Sequence, residues 1–286
     1  MHAQSSEDAE RELRDLPHIK ILGLLHGASN YPFLARLDPH GSAGLRAVYK
    51  PARGESPLWD FEAGTLYQRE VAAYELSKVL GWPRIPPTVV RRKAPHGVGA
   101  VQLFIAADGR HFLGANKSYA DTWIRVSLFD VITNNADRKS GHCLFDAQDN
   151  VWVIDHGLTF HVDHKLRTVI WDFAGHPLPP DLCGDVERGL IDLERGSLGK
   201  TMEGLLSAGE VRVLNRRLRG VLDPRCYPCG CSSSLRIRPR PVRVHLPLAR
   251  LPPQRLPLRH PHHHPQAPSR STPSFLLMSP PGTRPP

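Results

Sequence analysis

The stretch NNADRKSGHCLF, residues 134–145, places Asp137 five residues ahead of His142, and VIDHGLTF, residues 153–160, adds a second carboxylate at Asp155. Moving a phosphoryl group needs one carboxylate beside the attacking hydroxyl, a metal ligand nearby, and a further carboxylate that holds a divalent cation against the nucleotide phosphates. In the general kinase pattern an Asp and an Asn stand five positions apart, and a metal-binding Asp follows a short hairpin. The order and spacing of Asp137, His142 and Asp155 match that pattern. Each half alone is ordinary: an Asp before Arg and Lys commonly marks a solvated turn, and Asp-His-Gly is a frequent turn tripeptide. Their combination points to a phosphate-transfer site.

Such a site sits at a helix end that runs into a hairpin, with a nucleotide lobe ahead of it. TWIRVSLFDVITN carries Ile124, Leu128, Val131 and Ile132 on one face, with Ser118 and Asp121 as a capping pair before it. Two short apolar strands and HVDHKLRTVIWDFAGHPLPP follow, and Ser207 with Glu210 caps VRVLNRRLRGVL. Upstream, HIKILGLL (18–25), PFLARLD (32–38) and LRAVYKP (45–51) are apolar runs divided by turn-rich segments, which reads as an antiparallel meander. TLYQREVAAYELSKVLGWP is the clearest helix, with Thr65 and Gln68 as a capping box and Gly81 then Pro83 as its stop. PPTVV and GAVQLFIAA (99–107) return to strand character. The expected class is α+β, a small antiparallel-sheet lobe with one helix followed by a mainly helical lobe. No internal repeat is present.

A nucleotide kinase also needs a strand Lys on the phosphates and a helix acid to orient it. Lys50 ends a strand and Glu70 lies early in the next helix, in the required order. The plainer readings are a strand-end lysine snorkelling to water and an exposed helix acid.

VYKP, REVAAYELSKVLGWPRIPPTVV, NNADRKSGHCLF and VIDHGLTFHVDHKLRTVIW resemble the phosphatidylinositol 3-/4-kinase-like branch of the protein-kinase-like fold. The likeness is to a bacterial, uncharacterised group distantly similar to HipA-type kinases and type II phosphatidylinositol 4-kinases. It spans roughly residues 18–222. It implies a two-lobed kinase-like fold: residues 18–108 form the nucleotide-binding lobe and 109–224 the catalytic and metal-binding lobe, after a flexible leader at 1–17. By the same resemblance Lys50 contacts the ATP phosphates, Glu70 pairs with it, and QLF, including Gln102 and Phe104, forms the hinge beside adenine. HGASN is similar to this branch's phosphate-covering turn, with Ser29 its contact, although it lacks the full G-x-G-x-x-G. Asp137 is then the catalytic carboxylate and Asp155 a metal ligand for Mg2+ or Mn2+. His142 stands where many relatives place Asn, a nitrogen ligand that Mg2+ takes reluctantly and Mn2+ tolerates better. The alternative role for His142 is to orient Asp137 without touching metal.

Composition narrows the rest. The 286-residue chain has no run of 18 or more apolar residues, and its N-terminus has early acids and no apolar signal core, so the expected location is cytoplasmic. The net charge of +9 suggests nucleic acid, but residues 225–286 hold ten Arg and no Asp, Glu or Lys, which leaves the first 224 residues near −1. This Pro-, Arg- and His-rich tail has no helical or strand period and is expected to be disordered. A native basic tail and an out-of-frame reading of a GC-rich gene both fit its composition. Cys226, Cys229 and Cys231 lack the second half of a zinc spacing, and Cys143 and Cys183 are isolated, small buried hydrophobes by expectation. The leading function is an ATP-dependent phosphotransferase acting on a protein, lipid or small-molecule hydroxyl, as a monomer with no specific nucleic-acid partner. The rival is a catalytically inactive nucleotide-binding regulatory module.

Overall fold

The computed structural model describes residues 6–25, 30–38, 44–110, 112, 119–174 and 177–223. Helix α1 (Ser6–Asp15) opens the chain, followed by strands β1 (His18–Leu24), β2 (Phe33–Asp38) and β3 (Leu45–Pro51). Helix α2 (Leu66–Leu80) and strands β4 (Thr88–Arg91) and β5 (Gly99–Leu103) complete the first lobe. The second lobe holds α3 (Ala120–Thr133), a hairpin of β6 (Cys143–Phe145) and β7 (Val151–Val153), and helices α4 (Pro180–Arg195), α5 (Ser197–Glu203) and α6 (Ala208–Leu222). The fold is α+β, with a five-stranded antiparallel sheet in the order β1-β2-β3-β5-β4.

Alternation along the strands gives the sheet two unlike faces. Ala35, Leu37, Ala47, Tyr49 and Val101 are fully buried on one of them. Val48, Lys50 and Gln102, of the opposite parity, line a cleft. Pairing of β3 with β5 beside Lys50 requires a glycine, since a Cβ on Gly99 would lie 2.4 Å from the Lys50 carbonyl oxygen.

The expected flexible leader is instead partly helical. Ala9 and Leu13 lie one turn apart and are buried, Leu13 completely, with Leu13 packed into the sheet's core cluster. Arg91 reaches across to the helix end, its Nη1 donating to the Leu13 carbonyl at 3.0 Å and its Nη2 to that of Leu16. An i, i+4 apolar stripe with its terminal carbonyls satisfied is enough to order a charged segment.

The expected Thr65 capping box does not form. Thr65 has helical backbone (φ −119°, ψ −4°) and makes no side-chain cap. Its hydroxyl donates to the Glu62 carbonyl at 2.6 Å instead, and the Glu55 carboxylate accepts from Tyr67 N at 2.9 Å. A distant acid thus supplies the cap in place of Thr65. At the other end Gly81 takes φ +83° and its N–H donates to the Ser77 carbonyl, the glycine stop that was expected. The Ser207–Glu210 box forms in both directions at α6. Tyr119 precedes α3 without a side-chain cap, and Ser118 lies outside the described residues.

Helix α2 belongs to the second lobe as much as to the first. Ala72, Ala73, Leu76 and Leu80 join one core cluster with Leu128 and Ile132 of α3, Leu182 and Val186 of α4, and Leu214 and Leu218 of α6. Arg69 of α2 is buried, donates from Nε to the Thr159 carbonyl at 3.1 Å, and forms a buried ion pair with Glu210 of α6. Among the described residues no helix is long and apolar enough to cross a membrane. The tail after residue 223 lies outside them.

Candidate nucleotide and metal site

A cleft of about 420 Å3 is lined by residues of both lobes, including Lys50, Glu70, Gln102, Asp137, His142 and Asp155. Lys50 enters from β3, and its ammonium forms an ion pair with Glu70 Oε1 from α2. It also lies 3.4 Å from Asp155 Oδ1. The other Asp155 oxygen is 3.2 Å from His142 Nε2. Glu70 is itself held, since its Oε2 accepts from the His156 backbone N–H at 3.1 Å.

The charges of this cluster are interdependent. Burial pushes the Lys50 pKa down, but Glu70 and Asp155 more than offset that, and it stands at about 12. Burial pushes the Asp155 carboxyl up, yet Lys50 and then His142 outweigh it and hold it well below the usual carboxylate range. Burial raises Glu70, with the Lys50 ammonium pulling against that rise. Burial lowers His142, against the pull of Asp155, so the ring is neutral near pH 7. Lys139 N–H donates to His142 Nδ1 over a long 3.4 Å, which leaves the ring proton on Nε2, facing Asp155.

Asp155 sits in the left-handed region at φ +62°, which Asp and Asn adopt more readily than other non-glycine residues. Arg138 holds it there. Its Nη1 donates to the carbonyl of Ile154 at 2.7 Å and its Nη2 meets His156 Nε2 at 2.8 Å, so the guanidinium grips the chain on both sides of Asp155. Arg138 and Asp130 of α3 form a fully buried ion pair, with Nε donating to Oδ1 at 3.0 Å. Asn135 Nδ2 and Thr168 Oγ1 donate to the remaining Asp130 lone pairs at 3.0 and 2.9 Å. His156 is buried and edge-on to Phe129, and burial lowers its pKa well below the usual value, so Nε2 is free to accept.

Asp137 lies on the same cleft, with its carboxylate 2.7 Å from Lys139 and its backbone N–H donating to Asn135 Oδ1 at 3.0 Å. Gln102 is buried and lines the cleft, its Nε2 donating to Thr88 Oγ1 at 2.8 Å. Phe104 is not among the cleft-lining residues; one rung beyond the Ala47–Leu103 pair, its N–H donates to the Arg46 carbonyl and its ring lies under the Arg46 guanidinium at 4.7 Å. Ser29 lies outside the described residues. Among the described residues no group of three or more His, Cys, Asp or Glu side chains is close enough to hold a metal ion. The donor set therefore offers Asp155 with His142 beside it, which fits a cation that completes its shell with phosphate oxygens and water.

Sequence reasoning did not single out Asp130, Arg138 or His156. Their signal was present: an Arg directly after the candidate Asp137, an Asp eight residues ahead of that Arg in an apolar helix, and a His inside the Asp155 tripeptide. Buried charges require partners, and Arg138 links the other two, pairing with Asp130 and meeting His156.

Across 262 aligned residues the chain is 35% identical to protein Rv2133c of Mycobacterium tuberculosis, covering 79% of this chain and 93% of that protein. The chain belongs to the Rv2133c family. No family model matches the sequence. Among solved structures, the Golgi casein kinase superposes with a TM-score of 0.52 at 16% identity, covering 76% of this chain and 74% of that one. The same kinase with Mn and ADP bound gives 0.52 at 18% identity, covering 81% and 77%. The fold carried by this member of the Rv2133c family is therefore kinase-like.

Proposed function

We propose that the chain is an ATP-dependent phosphotransferase of the phosphatidylinositol 3-/4-kinase-like type, moving the γ-phosphoryl group to a hydroxyl on a protein, lipid or small molecule. The observation that carries this reading is that one lysine, Lys50, contacts both Glu70 and Asp155, joining a strand, a helix and the post-hairpin segment at a single point in a cleft. The kinase-like fold supports it, and the solved relative with Mn and ADP supports a nucleotide and a divalent cation as ligands. Residues 18–108 act as the nucleotide lobe and 109–224 as the catalytic lobe.

In this reading Lys50 binds the phosphates while Glu70 keeps its ammonium extended into the cleft. Asp155 and, beside it, His142 would hold Mg2+ or Mn2+, which supplies charge neutralisation at the phosphates. Gln102 lies at the nucleobase end, next to Val48 across the strands. Asp137 orients the acceptor hydroxyl and accepts its proton. Lys139, paired with Asp137, adds positive charge on the acceptor side.

A second reading, a regulatory module that binds nucleotide without turnover, is favoured by one detail. The His142 Nε2 proton faces Asp155, so the ring must shift its proton before it can ligate a cation. Turnover of ATP by the purified chain with Mg2+ or Mn2+, offered a panel of proteins, lipids and small alcohols, separates the two. Nucleotide binding with no phosphoryl transfer under any pairing would favour the module.

A further inference from the structure

Gln102 is 3% exposed and lines the cleft from β5, where its cross-strand partners are Val48 in β3 and Thr88 in β4. A primary amide has an accepting end and a donating end of nearly equal shape, so what it offers a ligand depends on which end is held. Here the neighbours decide. Thr88 is fully buried, and its hydroxyl lies 2.7 Å from the Pro86 carbonyl oxygen. That oxygen can only accept, so it takes the single Thr88 proton. Toward Gln102, 2.8 Å away, the Thr88 oxygen is then an acceptor, which ties it to Nε2. A reversed amide would set two oxygens against each other with no proton between them, in a place closed to water. Oε1 is therefore the free end, and no donor among the described residues meets it.

The cleft is apolar at Leu25, Val48 and Ile154, which suits a flat ring. Lys50 lies two residues from Val48 along β3, about 7 Å by strand rise, so one elongated ligand can reach both the lysine and the amide. An acceptor held in so dry a place welcomes an N–H and rejects a carbonyl, because the mismatched pair leaves lone pairs unmet on both sides. Among purines that distinction falls at carbon 6, which carries an amino group in adenine and an oxygen in guanine.

Resting on the nucleotide-binding reading above, we propose that Gln102 selects 6-aminopurine nucleotides, and that Thr88 is the positioning residue that fixes its amide. The test compares ATP with inosine triphosphate, which has an oxo group in place of the 6-amino group, in calorimetric titrations of the full chain with Mn2+. Wild type should bind ATP roughly 10- to 100-fold more tightly. Thr88→Val frees the amide to turn, so inosine triphosphate should bind more tightly and most of the preference should vanish. Thr88→Ser keeps the hydroxyl and should keep the preference. Gln102→Met should lose it through weaker ATP binding, and decides the matter if Thr88→Val does not fold. A wild type that binds both triphosphates alike, or a preference that survives Gln102→Met, overturns the selection while the nucleotide site stands. A preference that survives Thr88→Val overturns the positioning role. A wild type that binds neither triphosphate overturns the nucleotide site and the selection together.

Discussion

Lys50 Nζ lies 3.4 Å from Asp155 Oδ1, although 105 residues separate the two along the chain. This contact joins the sheet lobe to the segment behind the β6–β7 hairpin, and the remaining candidate groups are arranged around it. Replacing Asp155 by Asn keeps a side chain that tolerates positive φ and removes the charge. Asp155→Asn is expected to fold and to lose metal-dependent nucleotide binding. Calorimetric titration with and without Mn2+ checks this, and unchanged metal dependence would remove Asp155 from the site.

Asp137→Ala is expected to leave nucleotide affinity within a few fold and to lower transfer by roughly 10²-fold or more, as loss of a positioned proton acceptor does. Comparing kcat with the nucleotide Kd on the same preparation separates the two effects. A parallel fall in affinity would argue that the carboxylate holds the nucleotide instead.

His142→Asn supplies a ligand with no proton to displace. If His142 coordinates the cation, the variant should raise Mg2+-supported turnover relative to Mn2+. An unaltered metal preference would assign the ring to orienting Asp155 alone.

Stability should depend on pH through this cluster, in opposite directions at the two extremes. The Lys50 pKa is raised from 10.5 to about 12, so its contribution is complete below pH 10.5 and is lost as the pH climbs through 12. The Asp155 pKa is lowered from 3.8, so its contribution is present above pH 3.8 and is lost as the pH falls through its depressed folded value. Urea melts should therefore show a shallower acid limb for Asp155→Asn than for wild type, and a shallower alkaline limb for Lys50→Met.

Arg138→Met strands Asp130 as a buried, uncompensated charge and should cost about 3–5 kcal/mol. Asp130→Asn/Arg138→Met should recover part of that loss, because both charges leave together. Denaturant melts of Asp130→Asn, Arg138→Met and the double variant measure this, and losses in the two single variants that simply add up to that of the double would mean the pair is not coupled.

The sequence made the strands of the sheet legible because their apolar residues alternate between turn-rich gaps, and it made α2 legible because Gly81 and Pro83 end it. Lys50, Glu70 and Asp155 could be named from order and spacing alone, and the cleft brings them together. What escaped was non-local. The true cap of α2 is Glu55, which the Thr65–Gln68 spacing concealed. The leader helix is closed by Arg91, seventy-eight residues from Leu13. Phe104 packs under the guanidinium of Arg46, its cross-strand neighbour one rung beyond the end of β5, a contact that the local strand pattern does not reveal.

The fastening of α2 bears on how the molecule can move. Arg69, next to Glu70 in the chain, is tied to Glu210 and to the Thr159 carbonyl, and the same helix is interleaved with α4 and α6. Swinging the helix outward to take Glu70 from Lys50 would abandon a buried guanidinium, so α2 acts as a fixed post and not as a lever. The Lys50–Glu70 pair can then part only if β3 itself moves off this helix.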